Sequence, residues 1–327
     1  MIRAPDGQGS CLILMYHYVA DLTGGTYKGQ RGLSPEEFES QVIALKKHFD
    51  PITWEQFRSQ RARGRVADRP AVMFSFDDGL ACQAGVAAPI LERHGVRGVF
   101  LVPGAVLLGG RLLDAHRVHL LLNGLALGGE SLLGAVKDQL AAGDLVNDWW
   151  SRLDPVKAAK AYAHETCQSR QLLKYLLNFV LPSQLRGRIL DRLLADHGVN
   201  EQEWAARWYG PRDAWKKLQD KGHTVGGHGF AHEPLAELSP EAQERDLTAS
   251  HDALKDLLGP GERPMSYPFG SYDANTTVLA RRAGFEAAMT TVEGLNDMST
   301  DMYQLRRVDG RKEDVEKVLA AAGGAQR

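Results

Sequence analysis

Cysteine is scarce. Cys11, Cys82 and Cys167 are the only three in 327 residues, and none forms a C-x-x-C pair. An odd set of three excludes a disulfide framework, and the spacing offers no thiolate metal site. No apolar run approaches the ~18 residues of a membrane span. The richest stretch, 111–129, is broken by charge and by Gly124, Gly128 and Gly129. The opening MIRAPDGQGS lacks the basic patch, apolar run and small-residue cleavage site of a leader, so a cytoplasmic location is expected. Neither sign of charge dominates: 39 basic residues face 41 acidic ones, a net of −2. That balance gives no electrostatic ground for nucleic acid or an anionic membrane as partner. A G-x-S-x-G elbow is also missing, which argues against a serine hydrolase of that kind.

What remains is ordinary globular composition, 43% apolar and 24% charged, in a length suited to one large α/β barrel or two domains. Short apolar runs without strict alternation suit a parallel sheet covered on both faces. They fall at Cys11–Tyr16, Ala71–Phe76, Gly98–Val102, His223–Gly227, Met265–Pro268, Glu286–Thr291 and Gln304–Val308. Helical segments separate them. Ser34-Pro35-Glu36-Glu37 reads as a capping box with Pro at the first helical position. Ala81–His94 reads as a helix ending at Gly95, Ser239 opens one that stops at Gly259-Pro260, and Asp273 caps one ending at Gly284. From about 105 to 211 no strand is evident. Leu173, Leu176, Leu177 and Val180 follow helical spacing there. The organisation expected is therefore an α/β unit over 1–104 and 212–327, interrupted by a helical insertion over 105–211.

Three constellations carry chemistry. In Phe74-Ser75-Phe76-Asp77-Asp78-Gly79, two adjacent carboxylates end an apolar strand, the end at which parallel α/β folds build their sites. Two carboxylates so close require a cation or a shared proton. An ordinary alternative is a helix N-cap with a spare charge. His228 and His232 lie four apart after a second strand. On a helical turn that spacing puts both imidazoles on one side, a common metal geometry, although surface coincidence gives the same pattern. One carboxylate and two imidazoles would leave coordination positions open for water and substrate, with Asp77 free to take a proton. Tyr267-Pro268-Phe269-Gly270 is either a tight turn before a helix or a turn presenting a backbone N–H to an oxyanion.

Taken together, these runs resemble the polysaccharide deacetylase family, the NodB-homology deacetylases of carbohydrate esterase family four. FDDG is similar to the family's first motif, GHGFAH with its flanks GHTVG and Pro234-Leu235 to the second, and YPFG to the third. Met15-Tyr16-His17-Tyr18-Val19 is similar to the N-terminal strand of one branch. The resemblance spans roughly 200 residues on both sides of the insertion. It implies a deformed, incomplete (β/α) barrel, TIM-like, of about seven strands. It implies Asp77 as catalytic base, Asp78, His228 and His232 as metal ligands, and Tyr267, Pro268, Phe269 and Gly270 as the oxyanion and substrate turn. The cofactor implied is a divalent metal, zinc first, with cobalt, manganese or nickel as alternatives.

Two positions depart from the family pattern. Ser266 stands where an Arg often orients the base, and Leu305-Arg306-Arg307-Val308-Asp309 lacks the His that often serves as general acid. His17, ending the first strand, is the candidate acid, or else a histidine hydrogen-bonded to nearby backbone. Arg307 is the candidate for the missing orienting Arg, or else one half of a surface salt bridge.

The activity expected is removal of an N-acyl group, most simply acetyl, from an amino sugar. A cytoplasmic enzyme would meet a nucleotide- or lipid-linked precursor. The insertion would close over that substrate or form an oligomer contact. The rivals are an amidohydrolase acting on a non-sugar cyclic amide and an inactive carbohydrate-binding relative. Trp149, Trp150, Trp204, Trp208 and Trp215 lie in or beside the insertion, as sugar-stacking platforms or as core.

Overall fold

A computed structural model describes residues 9–67, 70–142, 149–165 and 167–324. Residues 1–8, read above for a leader, lie outside the described residues. The described chain divides into two compact units. One gathers the residues up to Tyr27, Arg31–Gly109 and those from Ala206 onward; the other gathers Lys28–Gln30 and Gly110–Ala205.

The first unit is built on seven parallel strands: β1 (Cys11–Tyr16), β2 (Ala71–Asp77), β3 (Val99–Val102), β4 (Thr224–Gly227), β5 (Arg263–Ser266), β6 (Phe285–Met289) and β7 (Val308–Asp309). Their order is β7-β1-β2-β3-β4-β5-β6, with Asp50–Pro51 added beside the start of β2. Among the described residues no regular ladder joins the ends of this order; an isolated bridge between Met289 and Leu305 and scattered main-chain hydrogen bonds span the gap, so the barrel is incomplete.

Period-two alternation sorts the side chains. Cys11 and Ile13, Ala71 and Met73, Val99 and Leu101, and Ala287 and Met289 form one core cluster, into which Trp54 and Phe57 also pack. The intervening residues face the helices: Tyr16 lies edge-on to Phe38 of the Pro35–His48 helix, and Phe76 stacks on Phe100 at 4.8 Å. Strands β4 and β5 approach closely, and a Cβ on Gly226 would fall 2.2 Å from the Pro264 carbonyl.

Local signals explain the helix starts. Ser34 and Glu37 form the expected capping box. Ser239 accepts the Ala242 N–H, and Asp273 accepts that of Thr276. Gly284, left-handed at φ 103°, closes the Ala274–Ala283 helix.

The strands at 265–268 and 304–308 need correction. β5 begins two residues earlier, at Arg263-Pro264, across a register irregularity that a proline-containing strand start permits. In the last segment only Val308–Asp309 pairs regularly, against Leu14 and Met15. The short Gly104–Leu108 helix also belongs to the first unit, whereas the sequence pattern placed 105 in the insertion.

The second unit is helical, including Asp114–His119, Gly129–Ala142, Pro155–Ala161, Gln168–Tyr175 and Ser183–Asp196. Leu173, Leu176, Leu177, Leu190, Leu193 and Leu194 are buried. Buried Arg117 binds Glu201 at 2.7 and 2.8 Å and Asp191 at 2.9 Å, and Glu165 binds Lys174 at 2.6 Å. No helix among the described residues is long and apolar enough to cross a membrane.

Candidate metal centre

The alternation that buries Ala71 and Met73 continues to Ser75 and Asp77, so Asp77 turns inward at the C-terminal end of β2. Its two oxygens accept from Arg307, Nη1 to Oδ1 and Nη2 to Oδ2, each at 2.8 Å. Arg307 is itself buried, and its Nε donates to the Thr290 carbonyl at 2.8 Å. The incomplete seam places it there: Leu305 bridges to β6, Val308 pairs with β1, and Arg307 lies between them facing Asp77. Ser266 Oγ adds a donor to Asp77 Oδ1 at 3.1 Å. Burial pushes the Asp77 pKa up, but the charge of Arg307, with His228 and His17 behind it, overrules this and holds the carboxyl at about 2.

Asp78, one residue on, leaves the strand at φ 82° and is buried. Its Oδ1 lies 3.4 Å from His228 Nε2 and 3.2 Å from His232 Nε2. One donor atom from each of the three residues lies within 4.8 Å of the others. Donors bound at ~2.0–2.1 Å around a tetrahedral ion are separated by ~3.3 Å, so this set fits a small divalent cation. The Nδ1 of His228 faces the Ser266 carbonyl at 3.0 Å and Ser266 Oγ at 2.7 Å. A hydrogen on Nδ1 donated to that carbonyl leaves Nε2 as the lone-pair nitrogen facing Asp78. Burial draws the His228 pKa down; Asp77 and Asp78 outweigh it and set it above the ordinary imidazole value.

The two histidines are not on a helical turn, which corrects the sequence expectation. They sit on a loop after β4 in which Gly229 (φ 63°) and His232 (φ 58°) are left-handed, and positive φ at both prevents a helix. Asp246, on the Pro240–Leu258 helix, pins this loop by accepting the N–H groups of Phe230 at 2.7 Å and Ala231 at 3.0 Å. No motif in the sequence signals that role.

The Pro268–Gly270 turn borders the same cluster. The Phe269 ring lies edge-on to His232, centroids 4.7 Å apart, with Phe269 held at φ 57°. Gly270 (φ 66°) has no room for a side chain, since a Cβ would fall 2.0 Å from Thr291 Oγ1. The Tyr267 N–H donates to Met289 O and that of Gly270 to Tyr267 O, while Pro268 has none. The Tyr267 and Gly270 N–H groups are therefore already engaged by main-chain carbonyls. The Tyr267 ring is core: it stacks on Tyr272 at 4.7 Å, and its hydroxyl donates to the Tyr303 carbonyl at 3.0 Å.

His17 follows β1, half-buried, close enough for its charge to act on Asp77. Its carbonyl accepts from Gln83 Nε2 at 3.0 Å. Trp208 is fully buried, edge-on to Tyr18 and donating Nε1–H to the Thr26 carbonyl, and Trp215 is fully buried near Phe100. These two are core, which removes them as sugar platforms.

The fold and site thus define an incomplete parallel α/β barrel with an Asp–His–His cluster at the strand ends. A family model described as polysaccharide deacetylase matches residues 191–288, the segment holding both histidines and the 267–270 turn. The putative polysaccharide deacetylase YxkH of Bacillus subtilis (strain 168) is 27% identical over 93 residues, 28% of this chain and 33% of that protein. The matched stretch thus spans a third of that relative's length. Among solved structures, the Streptococcus pyogenes deacetylase PplD in complex with acetate superposes with a TM-score of 0.58 at 16% identity, covering 96% of this chain and 99% of that one. IcaB from Ammonifex degensii gives 0.59 at 16% identity, covering 97% and 98%. Over residues 191–288 the chain is similar to polysaccharide deacetylases, and its fold is the incomplete TIM-like barrel seen in these solved structures.

Proposed function

We propose that the protein is a metal-dependent hydrolase that removes an N-acyl group, most simply acetyl, from an amino sugar in a glycan or glycan precursor. The observation that carries this reading is Asp77, locked as a carboxylate by Arg307 beside the cluster of Asp78, His228 and His232. The names of the relatives and the acetate bound to the Streptococcus pyogenes deacetylase support the choice of acyl group.

Asp78, His228 and His232 would hold a divalent ion, zinc, cobalt, manganese or nickel. Such an ion supplies a Lewis acid that polarises the acyl carbonyl and acidifies water, which a base as weak as Asp77 requires. Asp77 accepts the proton of the attacking water. Arg307 keeps that carboxylate ionised through the neutral range and fixes its orientation. The turn at Phe269, whose ring packs against His232, would border the developing oxyanion. His17 donates a proton to the leaving amine nitrogen.

The test is acetate release, followed by NMR, from three substrates: an N-acetylated oligosaccharide, a nucleotide-linked N-acetylhexosamine and a lipid-linked one. The reading expects release from at least one, lost in Asp77→Asn. Opening of a cyclic ureide or imide without any acetate release would contradict it.

A further inference from the structure

Gln83 is fully buried and opens the π-helical turn Gln83–Ala87, six residues beyond Asp77. Its Nε2 donates to the main-chain carbonyl of His17 at 3.0 Å and to that of Asp77. Both neighbours are acceptors only, so the amide nitrogen must face them, and it uses both its hydrogens there. The consequence is visible on the other side of the amide. Gln83 Oε1 is buried with no hydrogen-bond partner among the described residues. An unsatisfied buried acceptor is costly, and an aliphatic side chain would fill the same space without it. The π turn is a second departure from regular structure, of a kind that gathers at functional sites.

We infer that Gln83 is a positioning residue, clamping the main chain of His17 to that of Asp77 so that the proton donor and the proton acceptor keep a fixed separation. This rests on the acid and base roles proposed above. Cys11–Tyr16 and Ala71–Asp77 are already paired as neighbouring strands up to Tyr16 and Phe76. His17 and Asp77 lie one step beyond the last pair of this ladder; Asp77 is still paired with Leu101 on its other side, but what ties His17 to it is the Gln83 amide.

The experiment is a double-mutant cycle on the metal-loaded full chain, using Gln83→Met and His17→Ala, with Gln83→Leu as a second variant should Gln83→Met fold poorly. Gln83→Met is expected to lower kcat ten- to a hundredfold with KM within twofold. In the His17→Ala background it should lower kcat less than twofold further. Imidazole NMR of 15N-histidine-labelled protein supplies a readout independent of turnover: Gln83→Met should move the His17 signals and leave those of His251 in place. An equal loss of kcat in both backgrounds, or unmoved His17 signals, overturns the inference. If wild type releases no acetate, or His17→Ala keeps full activity, the acid–base reading fails, and the His17 signals still decide whether Gln83 holds that residue.

Discussion

Arg307 grips both oxygens of Asp77 at 2.8 Å across 230 residues of sequence, with both side chains almost wholly buried. The pairing keeps a buried carboxylate charged that would otherwise take up a proton. It also exposes the fold to the loss of either partner. Arg307→Met leaves Asp77 as an uncompensated buried charge, an arrangement that costs about 3–5 kcal/mol. Urea denaturation at neutral pH should show a destabilisation of that order, and acetate release should fall by two or more orders of magnitude. Arg307→Lys keeps the charge but loses the two-pronged geometry, so it should recover most of the stability and little of the activity.

The turn at 268–270 should tolerate almost nothing. Gly270→Ala must adopt a left-handed φ and meet Thr291 Oγ1 at 2.0 Å. Left-handed backbone costs ~1–2 kcal/mol and overpacking another ~1–3 kcal/mol, giving a loss of about 2–5 kcal/mol by thermal or urea unfolding. Gly259, at φ 80° and ψ 178° in a region that essentially only glycine occupies, has nothing within 4 Å of a built Cβ, so Gly259→Ala should incur a backbone cost alone, about 1–3 kcal/mol.

His223 should make stability depend on pH. Its side chain is fully buried, its Nδ1 accepts the Gly98 N–H at 3.0 Å, and burial lowers its pKa from 6.5 to about 4 despite Glu92. Between those values the unfolded chain binds a proton that the folded one refuses, so stability falls as pH drops from 6.5 towards 4. Its full extent is roughly 3 kcal/mol. His223→Asn retains an acceptor for Gly98 and cannot titrate. Urea denaturation at pH 7.5 and pH 4.5 should therefore show a smaller difference for the variant than for the wild type.

Much of this was readable from the residues alone, for identifiable reasons. Apolar runs marked the strands because parallel strands buried on both faces must be apolar. Residue 77 faces inward because it shares parity with Ala71 and Met73, a period-two argument that needs no coordinates. Long-range packing was not readable. Arg306 and Arg307 are adjacent, and only the seam makes the first exposed and the second buried. The loop carrying His228 and His232 takes its form from Gly229 and from Asp246, a carboxylate on the following helix. Gln83 has no motif, because its contribution lies in which carbonyls it reaches.

The claim at the centre is that Asp78, His228 and His232 grasp one cation. Metal content after equilibrium dialysis against zinc, measured by plasma mass spectrometry, tests it directly. The wild-type chain should retain close to one ion per molecule, and Asp78→Ala/His228→Ala/His232→Ala should retain almost none while remaining folded by circular dichroism. Equal retention by the folded triple variant, or none by the wild type across zinc, cobalt, manganese and nickel, would contradict the account.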